Sequence, residues 1–277
     1  VPILKHRLGK IQIQGVDYGE KVMVNGVQFS FHPAGHIIGS AQIRVEYKGE
    51  VWVISGDYKT ENDGVSGAFE PVPCHHFVTE STFGLPVYNW SPQASVIESI
   101  NNWWARNKAD GFTSVIYAYS LGKSQRILYH LDQSIGPVYT HGAVENINQI
   151  LRANGHPLPP STHVTDNIAK SALKGAMIIS PGSADGSPWM NRFKPYRTAA
   201  ASGWMMLRGM RRRRAVDKGF VLSDHADWHG LNEAIEATGA EHIYVTHGST
   251  ETYTQWLVEK GYNAQVLKTE FQVEEVD

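Results

Sequence analysis

Two turns decide the fold of this sequence, Phe31-His32-Pro33-Ala34-Gly35-His36-Ile37-Ile38-Gly39-Ser40 and Ser55-Gly56-Asp57-Tyr58. The first follows a strand-like run, and the glycines on both sides of His36 permit a tight turn that projects its imidazole. The second follows an apolar run, residues 51–54, which is typical of a buried strand, and Gly56 ends that strand so that Asp57 emerges at its carboxyl end. Open α/β sheets bind their ligands at this edge. The two turns therefore predict metal or proton chemistry at the end of a sheet.

Length and composition indicate a globular protein. The 277 residues are 42% hydrophobic, which is enough for one large domain or two linked ones. The net charge is −2, so binding to a polyanion would need a local basic patch. No apolar run reaches the roughly 18 residues of a membrane span, and no signal peptide opens the chain. We therefore expect a cytoplasmic protein with no membrane partner.

Cysteine and histidine content restricts the kind of metal site. The single cysteine, Cys74, excludes an internal disulfide framework and a cysteine-rich zinc site. Thirteen histidines favour imidazole and carboxylate ligands instead.

The hydrophobic pattern changes along the chain. Up to about residue 81 it predicts β-strands separated by Asn25-Gly26 and Lys48-Gly49 turns, with a strand-like register also at residues 11–14. From about Pro86 helices and strands alternate, which predicts a mainly parallel sheet in an inserted domain. The predicted strands cover residues 21–24, 27–31, 41–47, 51–55, 76–79, 114–119, 137–140, 176–180, 220–222, 242–245 and 264–267. The predicted helices cover residues 123–131, 144–154 and 253–260, with two more that begin near Ser91-Pro92 and after Trp228. The adjacent Trp103 and Trp104 are expected in the core.

Four predicted strands end in a side chain that suits metal or proton chemistry. A lone histidine at such a position is more often a structural residue. Repeated delivery of histidine and acidic side chains at strand ends is, however, how a nitrogen-and-oxygen site for Zn²⁺ or Mn²⁺ is built. These side chains are Asp57, Glu80, His225 and His247, and His36 joins them from its own turn.

The motifs around these residues resemble, in order, the signature motifs of the β-CASP branch of the metallo-β-lactamase superfamily, which includes nucleases acting on DNA and on RNA. The motifs are Pro33-Ala34-Gly35-His36-Ile37-Ile38-Gly39-Ser40, Ser55-Gly56-Asp57, Thr79-Glu80-Ser81-Thr82-Phe83-Gly84, Ser223-Asp224-His225-Ala226-Asp227 and Thr246-His247-Gly248. More narrowly, residues 52–59, 79–86, 188–190 with 192–193, 202–205 and 211–228 are similar to the bacterial ligase-associated DNA exonuclease family.

The resemblance implies an α/β fold, a metallo-β-lactamase αβ/βα sandwich that is N-terminally incomplete and carries an inserted β-CASP α/β domain. Residues 1–85 would be the first part of the metallo-β-lactamase domain, 86–214 the β-CASP insert and 215–277 the last part.

The resemblance also implies a role for each candidate residue. His36 corresponds to a ligand of one metal ion, His247 to a ligand of a second, and Asp57 to the carboxylate that bridges both. Glu80 corresponds to the acidic residue that orients an imidazole, and His225 to the general acid. The implied cofactors are two divalent metal ions, Zn²⁺ or Mn²⁺.

One family motif has no counterpart in the chain. The His-x-His-x-Asp-His sequence that supplies most of the remaining ligands does not occur in residues 1–277. A truncated chain is the favoured explanation, and a paralogue that has lost its metals is the alternative. Because His36, Asp57 and His247 cannot fill two ligand shells, we expect metal to be absent or partial in this chain.

Two groups of residues are candidates for nucleic-acid binding. Gly122-Lys123-Ser124 is not a P-loop, because Tyr117 stands where that motif needs glycine. Lys123, Gln125 and Arg126 either bind a backbone phosphate at a helix N-terminus or simply cap the helix. Arg211, Arg212, Arg213 and Arg214 either line a nucleic-acid groove or form a solvated face, and the groove is favoured.

The resemblance predicts metal-dependent hydrolysis of DNA phosphodiester bonds by an exonuclease of DNA repair. The expected partners are DNA, single-stranded or at duplex ends, together with a DNA ligase and a helicase. An RNA-processing β-CASP ribonuclease is the first alternative. A metal-free nucleic-acid-binding scaffold, or an inactive fragment, is the second.

Overall fold

The computed structural model describes residues 1–213 and 215–268, apart from the side chain of Arg211. These residues form a mixed α/β structure of two compact units. Unit 1 comprises residues 1–15 and 90–223, and unit 2 comprises residues 16–89 and the described part of 224–277. In this part of the chain, no helix combines the length and the apolarity that a membrane crossing needs.

The elements are numbered in chain order. The strands are β1 Val22–Val24, β2 Val27–Pro33, β3 Ala41–Tyr47, β4 Glu50–Ile54, β5 His76–Ser81, β6 Thr113–Tyr117, β7 Val138–Thr140, β8 Thr162–His163, β9 Met177–Ser180, β10 Tyr196–Ala201, β11 Lys218–Phe220, β12 His242–Gly248 and β13 Ala264–Val266. The α-helices are α1 Pro2–Leu8, α2 Gln93–Ala109, α3 Lys123–His130, α4 Gly142–Ala153, α5 Lys170–Leu173, α6 Arg208–Arg213, α7 Trp228–Thr238 and α8 Thr250–Glu259. Short 3₁₀ helices cover Gly182–Ala184, Pro188–Phe193 and Gly203–Met206.

Unit 2 is built on a mixed sheet with the strand order β1-β2-β3-β4-β5-β12-β13. Strands β1 to β4 form an antiparallel meander, and β4, β5, β12 and β13 pair in parallel. The predicted turns are confirmed: Asn25, Gly26, Lys48 and Gly49 all have positive φ, as two-residue hairpin turns require. Helices α7 and α8 share one core with the sheet, around Phe77, Leu231 and Leu257. The parallel strands β5 and β12 therefore end at one edge, where Glu80 and His247 lie.

Unit 1 is built on a sheet whose six strands run in parallel, in the order β11-β10-β6-β9-β7-β8. The predicted parallel sheet is therefore confirmed. Its main core includes Trp103, Trp104, Ile116 and Met177, which confirms the buried tryptophan pair. Lys123 follows the β6 end at the start of α3, so the carboxyl ends of these strands carry the segment that the sequence singled out.

Some predictions for the chain's first part and for the unit boundary differ from the structure. Residues 11–14 form no strand, because their alternating isoleucines and glutamines have no partner strand, and Pro2–Leu8 form α1 instead. The strand Lys218–Phe220 pairs with β10, and unit 1 ends at Ser223, whereas the predicted insert ends at Arg214. The division into named domains remains a prediction.

Candidate active site

Three side chains of unit 2 form a group that can hold a metal ion: His36, Asp57 and His225. One ligand atom from each lies within 4.8 Å of the others. The Nε2 atom of His36 is 3.9 Å from Oδ2 of Asp57. Two imidazoles and one carboxylate are a donor set that Zn²⁺ and Mn²⁺ accept. Residues 1–213 and 215–268 hold no second group of this kind.

The turn before His36 requires glycine. Gly35 has φ +72°, and a Cβ atom there would lie 2.2 Å from the carbonyl oxygen of Lys59. The Nδ1 atom of His36 donates a hydrogen bond of 2.9 Å to the carbonyl oxygen of Asp224. This bond fixes the tautomer, so that the lone pair of Nε2 faces Asp57. His36 is therefore oriented as a ligand before any ion binds.

Asp57 is the most accessible member of the group. It follows β4 after Gly56, whose φ of +57° turns the chain. The N–H of Ser55 donates to the carbonyl of Val78 and ties this turn to β5. The Asp57 side chain is 42% exposed, compared with 20% for those of His36 and His225. A substrate or a water molecule can therefore reach the carboxylate.

His225 is held by a buried carboxylate. Its Nδ1 atom lies 2.9 Å from Oε2 and 3.1 Å from Oε1 of Glu80, whose side chain is 1% exposed. Glu80 also accepts hydrogen bonds from the N–H of Tyr58, at 2.7 Å, and from the hydroxyl of Thr82. Burial alone would raise the pKa of Glu80, but the charge of His225 and these hydrogen bonds together hold that pKa below its ordinary value. The carboxylate is therefore ionised and keeps the imidazole of His225 in one orientation.

Ring packing restrains His225 as well. Its ring centroid lies 4.6 Å from that of His36, with the planes inclined by 60°. The buried Phe83 ring meets His225 edge-on at 5.8 Å. The sequence placed Glu80 behind an imidazole, and in the structure that imidazole is His225. The sequence did not predict that His225 lies close enough to His36 and Asp57 to form one group of possible metal ligands with them.

His247 is not a member of this group. It lies at an irregularity of β12, where the pairing with β5 shifts between Thr246 and Gly248, and its φ is +56°. The hydroxyl of Ser81 donates to its carbonyl oxygen at 2.7 Å. A Cβ atom at Gly248 would lie 2.4 Å from the carbonyl oxygen of Ser81, so the turn requires glycine. Such backbone geometry is typical of a constrained functional position.

The side chains of Lys123, Gln125 and Arg126 are buried in unit 1. Gln125 accepts from the N–H of Gly122 and donates to the carbonyl of Ser120 and to Asn148, which caps α3. Arg126 donates to Gln93 and to the carbonyl of Ser223. The Nζ atom of Lys123 lies 4.7 Å from the centroid of the Tyr119 ring. These contacts match the capping alternative, and the binding of a phosphate stays a prediction.

The basic run is partly described. Arg212 and Arg213 are exposed on α6, whereas the side chain of Arg211 and the whole of Arg214 lie outside the described residues. Two nearby arginines are already paired: Arg192 with Asp166 at 3.0 Å and Arg197 with Asp110 at 2.8 Å. Arg212 and Arg213 are therefore the described members of the run that face solvent.

Another hydrogen-bonded chain in unit 2 has the order of a nucleophilic triad. Ser30 Oγ lies 3.1 Å from Nε2 of His32, and Nδ1 of His32 lies 2.9 Å from Glu70. Ser30, however, is 4% exposed in the middle of β2, where its backbone N–H and carbonyl belong to the ladder with β3. These contacts join β2 to the loop at Glu70 and serve the fold.

Sequence reasoning missed three supports of the site. Two are backbone groups, the carbonyl of Asp224 and the N–H of Tyr58, for which side-chain identity carries no signal. The third is the hydroxyl of Thr82, whose position two residues after Glu80 in a turn was the available signal.

Comparisons with known proteins identify relatives of this chain. No family model matches it. A probable DNA ligase of Opitutus terrae is 32% identical over 250 residues, which are 88% of this chain and 24% of that protein. The endoribonuclease YSH1 of Eremothecium gossypii is 30% identical over 124 residues, 44% of this chain and 16% of that protein. An RNase J-like protein of Methanocaldococcus jannaschii is 27% identical over 139 residues, 46% of this chain and 32% of that protein. The chain thus spans a third or less of the length of these relatives.

A solved structure of another protein has a similar fold. A protein of unknown function from Enterococcus faecalis superimposes with a TM-score of 0.63 over 95% of this chain and 67% of that one, at 9% sequence identity. At such low identity the likeness concerns the fold alone. The names of the sequence relatives, a probable DNA ligase, an endoribonuclease and an RNase J-like protein, are consistent with the β-CASP branch of the metallo-β-lactamase superfamily.

Proposed function

We propose that this chain belongs to a metal-dependent phosphodiesterase of the β-CASP type that degrades DNA from an end during repair. Unit 2 then corresponds to the metallo-β-lactamase sandwich and unit 1 to the β-CASP insert. The observation that carries the proposal is the group His36, Asp57 and His225, with the buried Glu80 behind it.

The residues that would hold metal are His36 and Asp57, joined by His247, whereas His225 is assigned to proton transfer. A divalent cation, Zn²⁺ or Mn²⁺, supplies Lewis-acid stabilisation of the charge that develops on the phosphate oxygens. His36 Nε2 and Asp57 Oδ2, which lie 3.9 Å apart, would be the first ligands of one ion. The second ion of the proposed pair would need His247 and further ligands, so we expect this chain alone to bind metal partially.

His225 is assigned the proton that the leaving oxygen needs. Its Nδ1–H faces Glu80, which leaves Nε2 as the nitrogen that exchanges a proton with substrate. Imidazole is the side chain suited to this exchange near neutral pH. Glu80 holds the ring in place and stabilises its cationic form.

The exposed Arg212 and Arg213 are proposed to bind backbone phosphates, together with Arg211 and Arg214. Lys123, Gln125 and Arg126 enter the proposal as supports of the sheet edge, because their side chains are buried. The proposed polymer is DNA, either single-stranded or at a duplex end.

DNA is preferred to RNA because of the extent of similarity. The relative named a probable DNA ligase matches 88% of this chain, and the two relatives named for RNA match 44% and 46%. The name of this relative also supports the proposed association with a DNA ligase. The proposed association with a helicase rests on the family resemblance. An RNA-processing nuclease is the second candidate, favoured by the names of those two relatives. A metal-free nucleic-acid-binding scaffold remains the candidate from another class.

Parallel digestion of matched DNA and RNA strands tests this proposal. Each strand carries one end label and is incubated with the chain in Mn²⁺ or Zn²⁺, with a chelator control and the Asp57→Asn variant alongside. The proposal predicts metal-dependent shortening of DNA from one end that Asp57→Asn abolishes. Faster cleavage of RNA would replace DNA with RNA as substrate, and binding without cleavage in every metal would favour the scaffold.

A further inference from the structure

We propose that Thr82 is a positioning residue of this site: its hydroxyl fixes the Glu80 carboxylate, which in turn fixes the imidazole of His225. The inference deepens the proposed function and rests on it for its catalytic consequence.

The Glu80 carboxylate has a distinct donor on each oxygen. Oε1 accepts from the N–H of Tyr58 at 2.7 Å, and Oε2 accepts from the hydroxyl of Thr82. The Nδ1 atom of His225 contacts both oxygens. Tyr58 and Thr82 therefore hold the carboxylate from its two sides and set the plane in which His225 is bound.

Thr82 is itself held in place. It is 9% exposed, directly after β5, in a turn closed by a hydrogen bond from the N–H of Gly84 to the carbonyl of Ser81. A Cβ atom on Gly248 would lie 2.5 Å from the Thr82 Cα atom, so the backbone that follows His247 packs directly on Thr82. The Thr82 backbone is thus held at the ends of both β5 and β12.

The hydroxyl also has a chemical consequence for Glu80. Its bond lowers the pKa of that buried carboxylate, which burial alone would raise. Without this donor, Oε2 would retain its contact with His225, and Oε1 would retain its hydrogen bond from the N–H of Tyr58. Rotation of the carboxylate about the Cγ–Cδ bond of Glu80 would then be less restricted. The imidazole of His225, whose ring centroid lies 4.6 Å from that of His36, would then lose its fixed orientation.

Three variants isolate this role. Thr82→Val removes the hydroxyl at nearly constant volume, and Thr82→Ser retains it. Thr79→Val is the matched control, because Thr79 is a buried threonine of β5 whose hydroxyl bonds the Glu80 carbonyl and Tyr58 rather than the Glu80 carboxylate. Two quantities are measured: the steady-state constants for DNA cleavage, and the NMR resonance of the His225 Nδ1 proton in metal-free protein, assigned by its loss in His225→Gln.

For Thr82→Val we expect kcat to fall about 10-fold or more with little change in KM, as for other groups that orient a ligand or catalytic imidazole. The Nδ1 proton resonance should broaden or disappear. Thr82→Ser and Thr79→Val should keep both the resonance and turnover near the wild-type values. An intact resonance in Thr82→Val, or equal losses in Thr79→Val, would overturn the proposal. If the wild-type chain cleaves no polymer, the proposed function fails, and the resonance alone still decides the role of Thr82.

Discussion

Nδ1 of His225 lies 2.9 Å from Oε2 of Glu80, although 145 positions separate the two residues in the chain. Unit 2 brings them together because β5 carries Glu80 into the interior and the segment before α7 carries His225 to the same edge. The resulting pair orients an imidazole beside His36 and Asp57.

His225→Ala separates a proton donor from a metal ligand. Because Nδ1 is engaged by Glu80, we expect the variant to lose turnover while its Zn²⁺ or Mn²⁺ content stays at the wild-type level. His36→Ala is the matched control, and it should lose bound metal because its Nε2 faces Asp57. Metal content is measured by elemental analysis after dialysis. Loss of metal from His225→Ala would make His225 a ligand.

Gly35→Ala should destabilise the turn that carries His36. The added Cβ would lie 2.2 Å from the Lys59 carbonyl oxygen at φ +72°. Left-handed strain of about 1–2 kcal/mol together with overpacking of about 1–3 kcal/mol gives a loss of about 2–5 kcal/mol in unfolding free energy. Gly26→Ala is the control, since its φ is +81° but no atom lies within 4 Å. Urea denaturation compares the two, and equal losses would contradict the steric argument.

Replacement of Arg212 and Arg213 by glutamine should weaken nucleic-acid binding mainly at low salt. Both side chains are exposed, so their removal should reduce the slope of log K against log salt by about 1.4 for single strands, or about 0.7 for each contact. Arg197→Gln, which removes an arginine already paired with Asp110, should leave the slope unchanged. Fluorescence anisotropy at several salt concentrations measures this slope. An unchanged slope in the double variant would indicate that Arg212 and Arg213 belong to a solvated face and do not bind nucleic acid.

Alkaline pH should destabilise the fold through buried phenols. Burial raises the pKa of Tyr253 well above its ordinary value, and burial with a hydrogen bond to Asp185 does so for Tyr117. As pH rises, these phenols lose their protons in the unfolded chain before they do so in the folded protein. Their contribution to the free energy of unfolding is therefore fully present below about pH 10 and decreases as pH rises further. Tyr253→Phe should show a weaker fall than the wild type in urea titrations between about pH 9 and 11. Parallel curves for the two proteins would argue against the shift.

Much of the fold was predictable because its signals are local. The Asn25-Gly26 turn permits two residues of positive φ, and Trp104 lies on the apolar face of a helix that begins after Pro92. The strand predicted at residues 11–14 was wrong, because a short alternation of apolar and polar residues forms no strand unless another strand pairs with it. The strand Tyr196–Ala201 went unpredicted because its alanine-rich sequence carries little β signal.

The candidate site was predictable only in part. Predicted strand ends located Asp57, Glu80 and His225, and a glycine turn located His36. The resemblance named His247 as a metal ligand, which stays a prediction, and it did not indicate that His225 groups with His36 and Asp57. Lys123, Gln125 and Arg126 have the same residue types whether they bind phosphate or cap a helix, and only burial distinguishes these roles. Backbone supports such as the Asp224 carbonyl depend on tertiary packing, which no residue type reveals.

The initial rate at which the chain shortens end-labelled DNA in Mn²⁺ tests the central claim most directly. Wild type is compared with Asp57→Asn and with Glu259→Gln, a control in which an exposed carboxylate on α8 is removed. The account predicts equal rates for wild type and Glu259→Gln, no cleavage in chelator, and a loss of about 100-fold or more in Asp57→Asn, because a lost ligand removes several kcal/mol of charge stabilisation. Cleavage by Asp57→Asn at the wild-type rate, or cleavage that persists in chelator, would contradict it.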